Sequence, residues 1–183
     1  MSKICIFMAD GVEEVEALAV VDVCRRAGLD ISMVSIMGRE EITSSHQIKI
    51  KTDLLLSEVD FDAVDMIVLP GGLKGTENLE ACSELMEQVD QFYAQGKWIA
   101  AICAAPSIFG HRGILQGRNA CSYPTKEAEL TGAKVSHNPV EVSDHVITSR
   151  GMGTAIDFGL RIIAVLDSEA AAEKIGKQIL YIE

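Results

Sequence analysis

The segment Ile99-Ala100-Ala101-Ile102-Cys103-Ala104-Ala105-Pro106-Ser107 carries a thiol out of an apolar run and into small residues and a proline. A helix opening one or two residues later would place Cys103 at the positive end of its dipole, where a thiolate forms most easily. A nucleophile on such a strand–turn–helix elbow projects from the strand end, and the backbone N–H groups that follow face developing negative charge. The alternative is a small hydrophobe at a strand end, the usual place of a free cysteine. Cys5 and Cys121 fall inside apolar strand patterns and read as core. Cys24 and Cys82 fall on helical patterns and receive no chemical role.

The first strand pattern is followed by Asp10, Glu13, Glu14 and Glu16. A phosphate loop here would need glycine-rich backbone at a helix N-terminus, and these carboxylates would repel its ligand, so a nucleotide site is disfavoured. Acids in a first helical turn complement the macrodipole, which accounts for Glu14. Glu16 differs, because it lies in VEALAVV, a stretch apolar almost all round, and is expected to be buried beside the strand ends. Burial raises a carboxyl pKa and makes the group a proton donor and acceptor near neutral pH. Gly71-Gly72 after Pro70 lets backbone approach a ligand closely, and its N–H groups with that of Ala104 would complete an oxyanion site. A plain tight turn is the alternative there. Ser149-Arg150-Gly151-Met152-Gly153-Thr154 reads as an anion-binding nest or, more simply, as a helix start capped by Thr154.

These segments need elements to hold them. Strand patterns at Lys3 to Met8, Asp30 to Ile36, Asp65 to Leu69 and Trp98 to Ile102 alternate with helical patterns at Glu13 to Ala27 and Glu77 to Gln95. Residues 39–52 read as an antiparallel excursion, with QIKIKT alternating as a half-exposed strand does. Shorter strands are expected at Ala120 to Tyr123 and Val146 to Ser149, then closing helices at Thr154 to Leu166 and Ser168 to Leu180. The order implies one doubly wound α/β domain over residues 1–183 with a mostly parallel central sheet. In such a sheet, chemistry collects at the carboxyl ends of the strands, where the four unusual strand endings would meet.

Composition narrows the partners. Sixteen basic against 27 acidic residues leave a net charge of −11, which argues against nucleic acid or an anionic membrane surface. No apolar run approaches the roughly 18 residues of a membrane span. The opening MSKICIFMADGVEE turns acidic and lacks the apolar core of a signal peptide. Five widely spaced cysteines, without a C-x-x-C pair, fit a reduced cytoplasmic chain. His46, His111, His137 and His145 show no ligand spacing, so no structural metal is expected.

Four motifs in order, Gly11-Val12-Glu13-Glu14-Val15-Glu16, Leu69-Pro70-Gly71-Gly72, Ala101-Ile102-Cys103-Ala104-Ala105-Pro106 and Thr148-Ser149-Arg150-Gly151-x-Gly153-Thr154, resemble the DJ-one/ThiJ/PfpI superfamily. The similarity is to the branch of the Parkinson-associated protein and its bacterial relatives, over essentially the whole chain. It implies a flavodoxin-like α/β sandwich, usually homodimeric, with a reactive cysteine that falls on Cys103. It also implies a protonated glutamate hydrogen-bonded to that cysteine, falling on Glu16, and backbone amides falling on Gly72 and Ala104. The apolar first helix fits burial on two sides, as a dimer would give. Activities in the branch include glutathione-independent glyoxalase, protein deglycase, oxidative-stress sensing and chaperoning; a thiazole-biosynthesis label fits poorly without a phosphate site.

Departures from the pattern matter as much. Ala104 stands where protease-like members have histidine, and neither His137 nor His145 begins a His-x-Glu, so peptidase and glutamine amidotransferase chemistry are disfavoured. Tyr123 stands where animal members carry a histidine beside the nucleophile, and its hydroxyl would orient substrate instead. The resemblance thus implies attack of Cys103 on a small α-oxoaldehyde such as methylglyoxal, an oxyanion held by Gly72 and Ala104, and proton shuttling by Glu16, with no metal or organic cofactor. The alternative partner is an oxidant, with Cys103 a sensor that ends as sulfinic acid, or the chain a dimeric chaperone.

Overall fold

The computed structural model describes residues 2–183. In chain order the elements are β1 (Lys3–Met8), α1 (Glu14–Arg26), β2 (Asp30–Ser35), β3 (Glu41–Thr43), β4 (Lys49–Lys51), β5 (Leu54–Leu55), β6 (Met66–Leu69), α2 (Leu73–Glu80), α3 (Ser83–Ala94), β7 (Trp98–Ile102), α4 (Pro106–His111), β8 (Asn119–Ala120), β9 (Lys134–Val135), β10 (Val140–Ser143), β11 (Val146–Ser149), α5 (Ala155–Leu166) and α6 (Glu169–Gln178). The central sheet has seven strands in the order β10-β11-β7-β6-β1-β2-β5. It is parallel throughout except for the β10–β11 edge pair.

Helices cover both faces, which is why the inner strands are continuously apolar rather than alternating. Ile4, Ile6 and Met8 of β1 point into one core with Val20 and Val23 of α1 and Phe158 and Ile162 of α5. Cys5 and Phe7 point into the other, with Leu85, Val89 and Phe92 of α3 and Ile108 and Phe109 of α4. From β1 the chain winds one way to β2 and the other way to β6, so the strand order reverses between β1 and β6. A crevice opens at the carboxyl ends of strands at such a point. The loops after β1, β6, β7 and β11 all lie on that edge, as the parallel registers require.

Two local expectations are corrected. The single helix expected over Glu77 to Gln95 is two helices, α2 and α3, joined at Ala81-Cys82. No glycine or proline marks the break; packing makes it. Gly75 of α2 lies so close to the loop after β1 that a β-carbon there would sit 2.8 Å from Val12 Cα, whereas α3 buries Leu85, Met86 and Val89 along the sheet. Two surfaces in different directions need two axes. The strand expected at Ala120 to Tyr123 stops at Ala120, where β8 pairs with β9, because Tyr123 N–H turns away to the Cys103 carbonyl at 2.8 Å. Edge strand β10 is an addition: it is half-exposed and has no buried apolar run to announce it. The excursion at 39–52 is the antiparallel hairpin β3–β4.

Candidate active site

Cys103 follows the last residue of β7 and has φ +66°, a left-handed conformation that a non-glycine residue adopts at a cost. Its peptide groups are pinned on both sides. Its N–H donates to Ser149 O at 3.0 Å, and its carbonyl accepts from Tyr123 N–H at 2.8 Å. Three residues on, Pro106 opens α4 at a position where its missing N–H costs nothing. The turn leaves Cys103 half-buried at the edge of the sheet, while Ala104 and Ala105 behind it are fully packed.

Glu16 reaches this thiol from α1. Glu13 caps the helix by accepting from Glu16 N–H at 2.9 Å, and the Glu16 side chain turns to the inner face, with the residue 1% exposed. Glu16 Oε2 accepts from Gly71 N–H at 3.0 Å, and the carboxyl also meets Met152 N–H and the Cys103 thiol. Burial pushes Glu16 up to about 7; the bond to Cys103 opposes this, the Glu13 charge adds to it, and the Gly71 and Met152 amides oppose it. Gly71 makes the approach possible. A β-carbon there would collide with Glu16 Oε2 and stand 2.5 Å from Cys103 Cβ. Gly72 has φ +86°, and a β-carbon would run into Gly11 O.

The thiol corrects one expectation. A helix N-terminus favours the thiolate, yet burial, then the charge of Glu16 and its hydrogen bond, push Cys103 up to about 12. Only the Gly72 and Ala104 amides pull the other way. Ionising either the Glu16 carboxyl or the Cys103 thiol therefore hinders ionisation of the other. With a proton on Glu16, a thiolate at Cys103 faces three donors. The two amides assigned to a substrate oxyanion thus address the sulfur itself.

The remaining acids after β1 have other work. Asp10 accepts from Thr43 N–H at 2.9 Å and pairs with Arg39 at 2.6 Å, holding the β3–β4 hairpin. Glu14 does more than complement the dipole, since it bonds His46 Nδ1 at 2.8 Å and Ser45 Oγ at 3.3 Å. Glu13, Glu14 and His46 bring three potential ligand atoms within 4.8 Å of one another, a grouping invisible to spacing. Thr154 precedes α5 but does not cap it: its Oγ1 turns back to Ser149 Oγ at 2.7 Å and accepts Gly151 N–H at 3.1 Å. That bracing aims the loop after β11 at the site. A β-carbon on Gly151 would lie 3.5 Å from the Tyr123 ring and 3.8 Å from Glu16 Oε1. Tyr123 stands at the rim, about half exposed. The Met152 amide on Glu16 escapes sequence reasoning, and its one signal there is the Ser149–Thr154 motif. Two clefts of about 460 and 600 Å³ lie elsewhere, beside α5–α6 and beside the β3–β4 hairpin, and neither is lined by Cys103 or Glu16.

The doubly wound sheet thus brings a cysteine elbow and a buried carboxyl together at its switch-point edge, an α/β architecture that can be compared with known proteins. The chain belongs to the DJ-1/PfpI family, whose model matches residues 2–165. It is 36% identical over 181 residues to protein DJ-1 homolog B of Arabidopsis thaliana, covering 97% of this chain and 41% of that protein. The chain thus spans less than half the length of that relative. It is 30% identical over 179 residues to the glutathione-independent glyoxalase DJR-1.2 of Caenorhabditis elegans, covering 97% and 95%. The structure of oxidized Toxoplasma gondii DJ-1 superposes with a TM-score of 0.95 at 35% identity, covering 100% of both chains.

Proposed function

We propose that this protein is a cysteine-dependent, glutathione-independent glyoxalase acting on methylglyoxal-type α-oxoaldehydes. The observation that carries the proposal is the buried Glu16 carboxyl hydrogen-bonded to Cys103, beside the Gly72 and Ala104 amides that address the same sulfur. The Cys103 thiolate adds to the aldehyde carbon; a C–S bond forms, and the carbonyl oxygen takes the proton held by Glu16. The Gly72 and Ala104 amides follow the charge from sulfur to that oxygen. Glu16, now a carboxylate, removes the hydrogen of the former aldehyde carbon and returns it to the neighbouring carbon through an enediol. The result is a 2-hydroxy thioester. Water cleaves it to lactate and frees the thiol, so one carbon is oxidised as its neighbour is reduced and no external oxidant enters. The glyoxalase-named relative supports this reading.

A second reading, oxidation sensing, draws on the same donors. A peroxide-oxidised sulfur at Cys103 would be held by the Gly72 and Ala104 amides and a protonated Glu16, and an oxidised relative has been solved. In either role we expect a homodimer over α1, where Val15 and Leu18 are 44% and 37% exposed in the single chain. Lactate formation from methylglyoxal by reduced protein without glutathione tests the first reading. Turnover by the wild type and none by Cys103→Ser or Glu16→Gln supports it. Equal turnover by all three rejects it, and no turnover by any moves the function to sensing.

A further inference from the structure

Two segments flank Cys103, the loop after β11 and the stretch that follows Tyr123, and one charge pair joins them. Arg150 lies in the loop after β11, between Ser149, whose carbonyl holds Cys103 N–H, and Gly151-Met152, which abut Tyr123 and Glu16. Glu127 lies in the 3₁₀ turn Pro124–Glu129, which begins directly after Tyr123. The Arg150 guanidinium stands 3.8 Å from Glu127 Oε1, and His137 Nε2 is 3.4 Å from the same oxygen. Both Glu127 Oε1 and Arg150 Nε are buried, and neither has a hydrogen-bond partner.

A charged oxygen and a charged N–H, each buried and unbonded, would ordinarily be expelled to solvent. Here Glu127 Oε1 is faced by Arg150 Nη2 at 3.8 Å and by His137 Nε2 at 3.4 Å, and the Glu127 and Arg150 side chains keep 26% and 32% of their surface exposed. Removing Glu127 leaves Arg150 without its nearest opposite charge, and removing Arg150 leaves Glu127 with His137 alone, which loosens the tie between the two segments. The segments so loosened are those that set Tyr123 at the rim and Gly151 against its ring.

We propose that Arg150 and Glu127 form a positioning pair that clamps the Tyr123 segment against the loop after β11 and so sets the width of the entrance to Cys103. Neither residue touches the sulfur; they act through Tyr123 and Gly151. The pair thereby selects small aldehydes over bulky ones, an inference that rests on the glyoxalase reading for its kinetic part alone.

The test measures alkylation of Cys103, followed on its own peptide, by N-ethylmaleimide and by the smaller iodoacetamide. The ratio of the two rates cancels any change in thiolate fraction. Opening the clamp raises that ratio about threefold to tenfold in Arg150→Met and in Glu127→Gln, and no further in the double variant, because the interaction can be lost only once. Arg150→Lys keeps the positive charge but exchanges the guanidinium, whose Nη2 faces Glu127, for a single ammonium, and restores the ratio in part. Where turnover of methylglyoxal is measurable, KM rises in the single variants by a similar factor while kcat stays within about twofold. An unchanged ratio in folded single variants overturns the proposal, as does a double variant in which the two effects add. A KM increase in Arg150→Met without one in Glu127→Gln also overturns it, making Arg150 a direct substrate contact. The alkylation ratio decides the matter even if the protein turns over no aldehyde.

Discussion

Two thiols on neighbouring segments differ in what surrounds them. Cys121 is buried two residues ahead of Tyr123, with its thiol donating to Thr148 O at 3.3 Å and pushed up to about 11 by burial. Cys103 is pushed up to about 12, also by burial first. Burial therefore does not separate them. What separates them is the company each keeps. Cys121 donates to the Thr148 carbonyl, and the Thr148 hydroxyl and Glu141 amide ease its ionisation, whereas Cys103 is hydrogen-bonded to a carboxyl that can carry its proton as well as to two backbone amides. Backbone strain falls on the same side, since of the two only Cys103 has a positive φ, +66°. Strain and a raised carboxyl pKa are costs that a purely structural cysteine does not need.

The sharpest way to break this contrast is to exchange the sulfur. Cys103→Ser should lower lactate formation by about 10³-fold or more, since a serine hydroxyl is a far poorer nucleophile. Cys121→Ser should leave turnover unchanged. Loss of activity in both would mean that the elbow has no special standing. Next in size is Gly71→Ala, whose β-carbon would displace Glu16 from Cys103; turnover should fall about 10²-fold while the fold, followed by circular dichroism, persists.

A pH profile sharpens the contrast without touching the thiol. The productive form carries one proton on the Glu16–Cys103 pair, so kcat/KM should rise through pH about 7 as the pair first ionises. A profile flat between pH about 5 and about 9 would reject this one-proton form. The same shift has a stability consequence of fixed sign. Glu16 is raised from 4.5 to about 7 in the folded chain, so the stability it lends is complete below about 4.5 and is lost as pH rises through about 7. Glu16→Gln should therefore be more stable than the wild type at pH about 8, by about 1–3 kcal/mol in urea unfolding. Equal stability there would mean that folding does not raise the carboxyl above its ordinary value. The smallest effect is expected at the structural thiol, where Cys121→Ala should cost about 1 kcal/mol of stability and leave the alkylation rate of Cys103 unaltered.

Much of this contrast is legible in the order of residues alone. A cysteine at the end of an apolar strand, an acid inside an otherwise apolar helix and Gly71-Gly72 behind a strand are local anomalies, and local anomalies survive in one dimension. The hairpin at 39–52 is legible from alternation, and the parallel order from strands alternating with helices. The break between α2 and α3 is not, because no breaker residue marks it and the cause is the shape of the surface beneath. Thr154 misleads for a related reason: a hydroxyl beside a helix start caps it unless a better partner, here Ser149 Oγ, stands nearby.

The sequence by itself determined the parallel α/β sheet, the edge on which the four unusual loops meet, and the residue types gathered there. Periodicity and strand endings are properties of short segments, and a parallel sheet aligns those endings without further information. Only the tertiary structure decided how the groups affect one another. It brings Gly71 N–H to Glu16 across 55 residues of chain and turns the Gly72 and Ala104 amides on the sulfur. It also places Arg150 against Glu127 and raises the thiol that a helix N-terminus alone would have lowered. Ionisation depends on burial and on neighbours within a few ångströms, and those are fixed by packing between segments that the linear order leaves far apart.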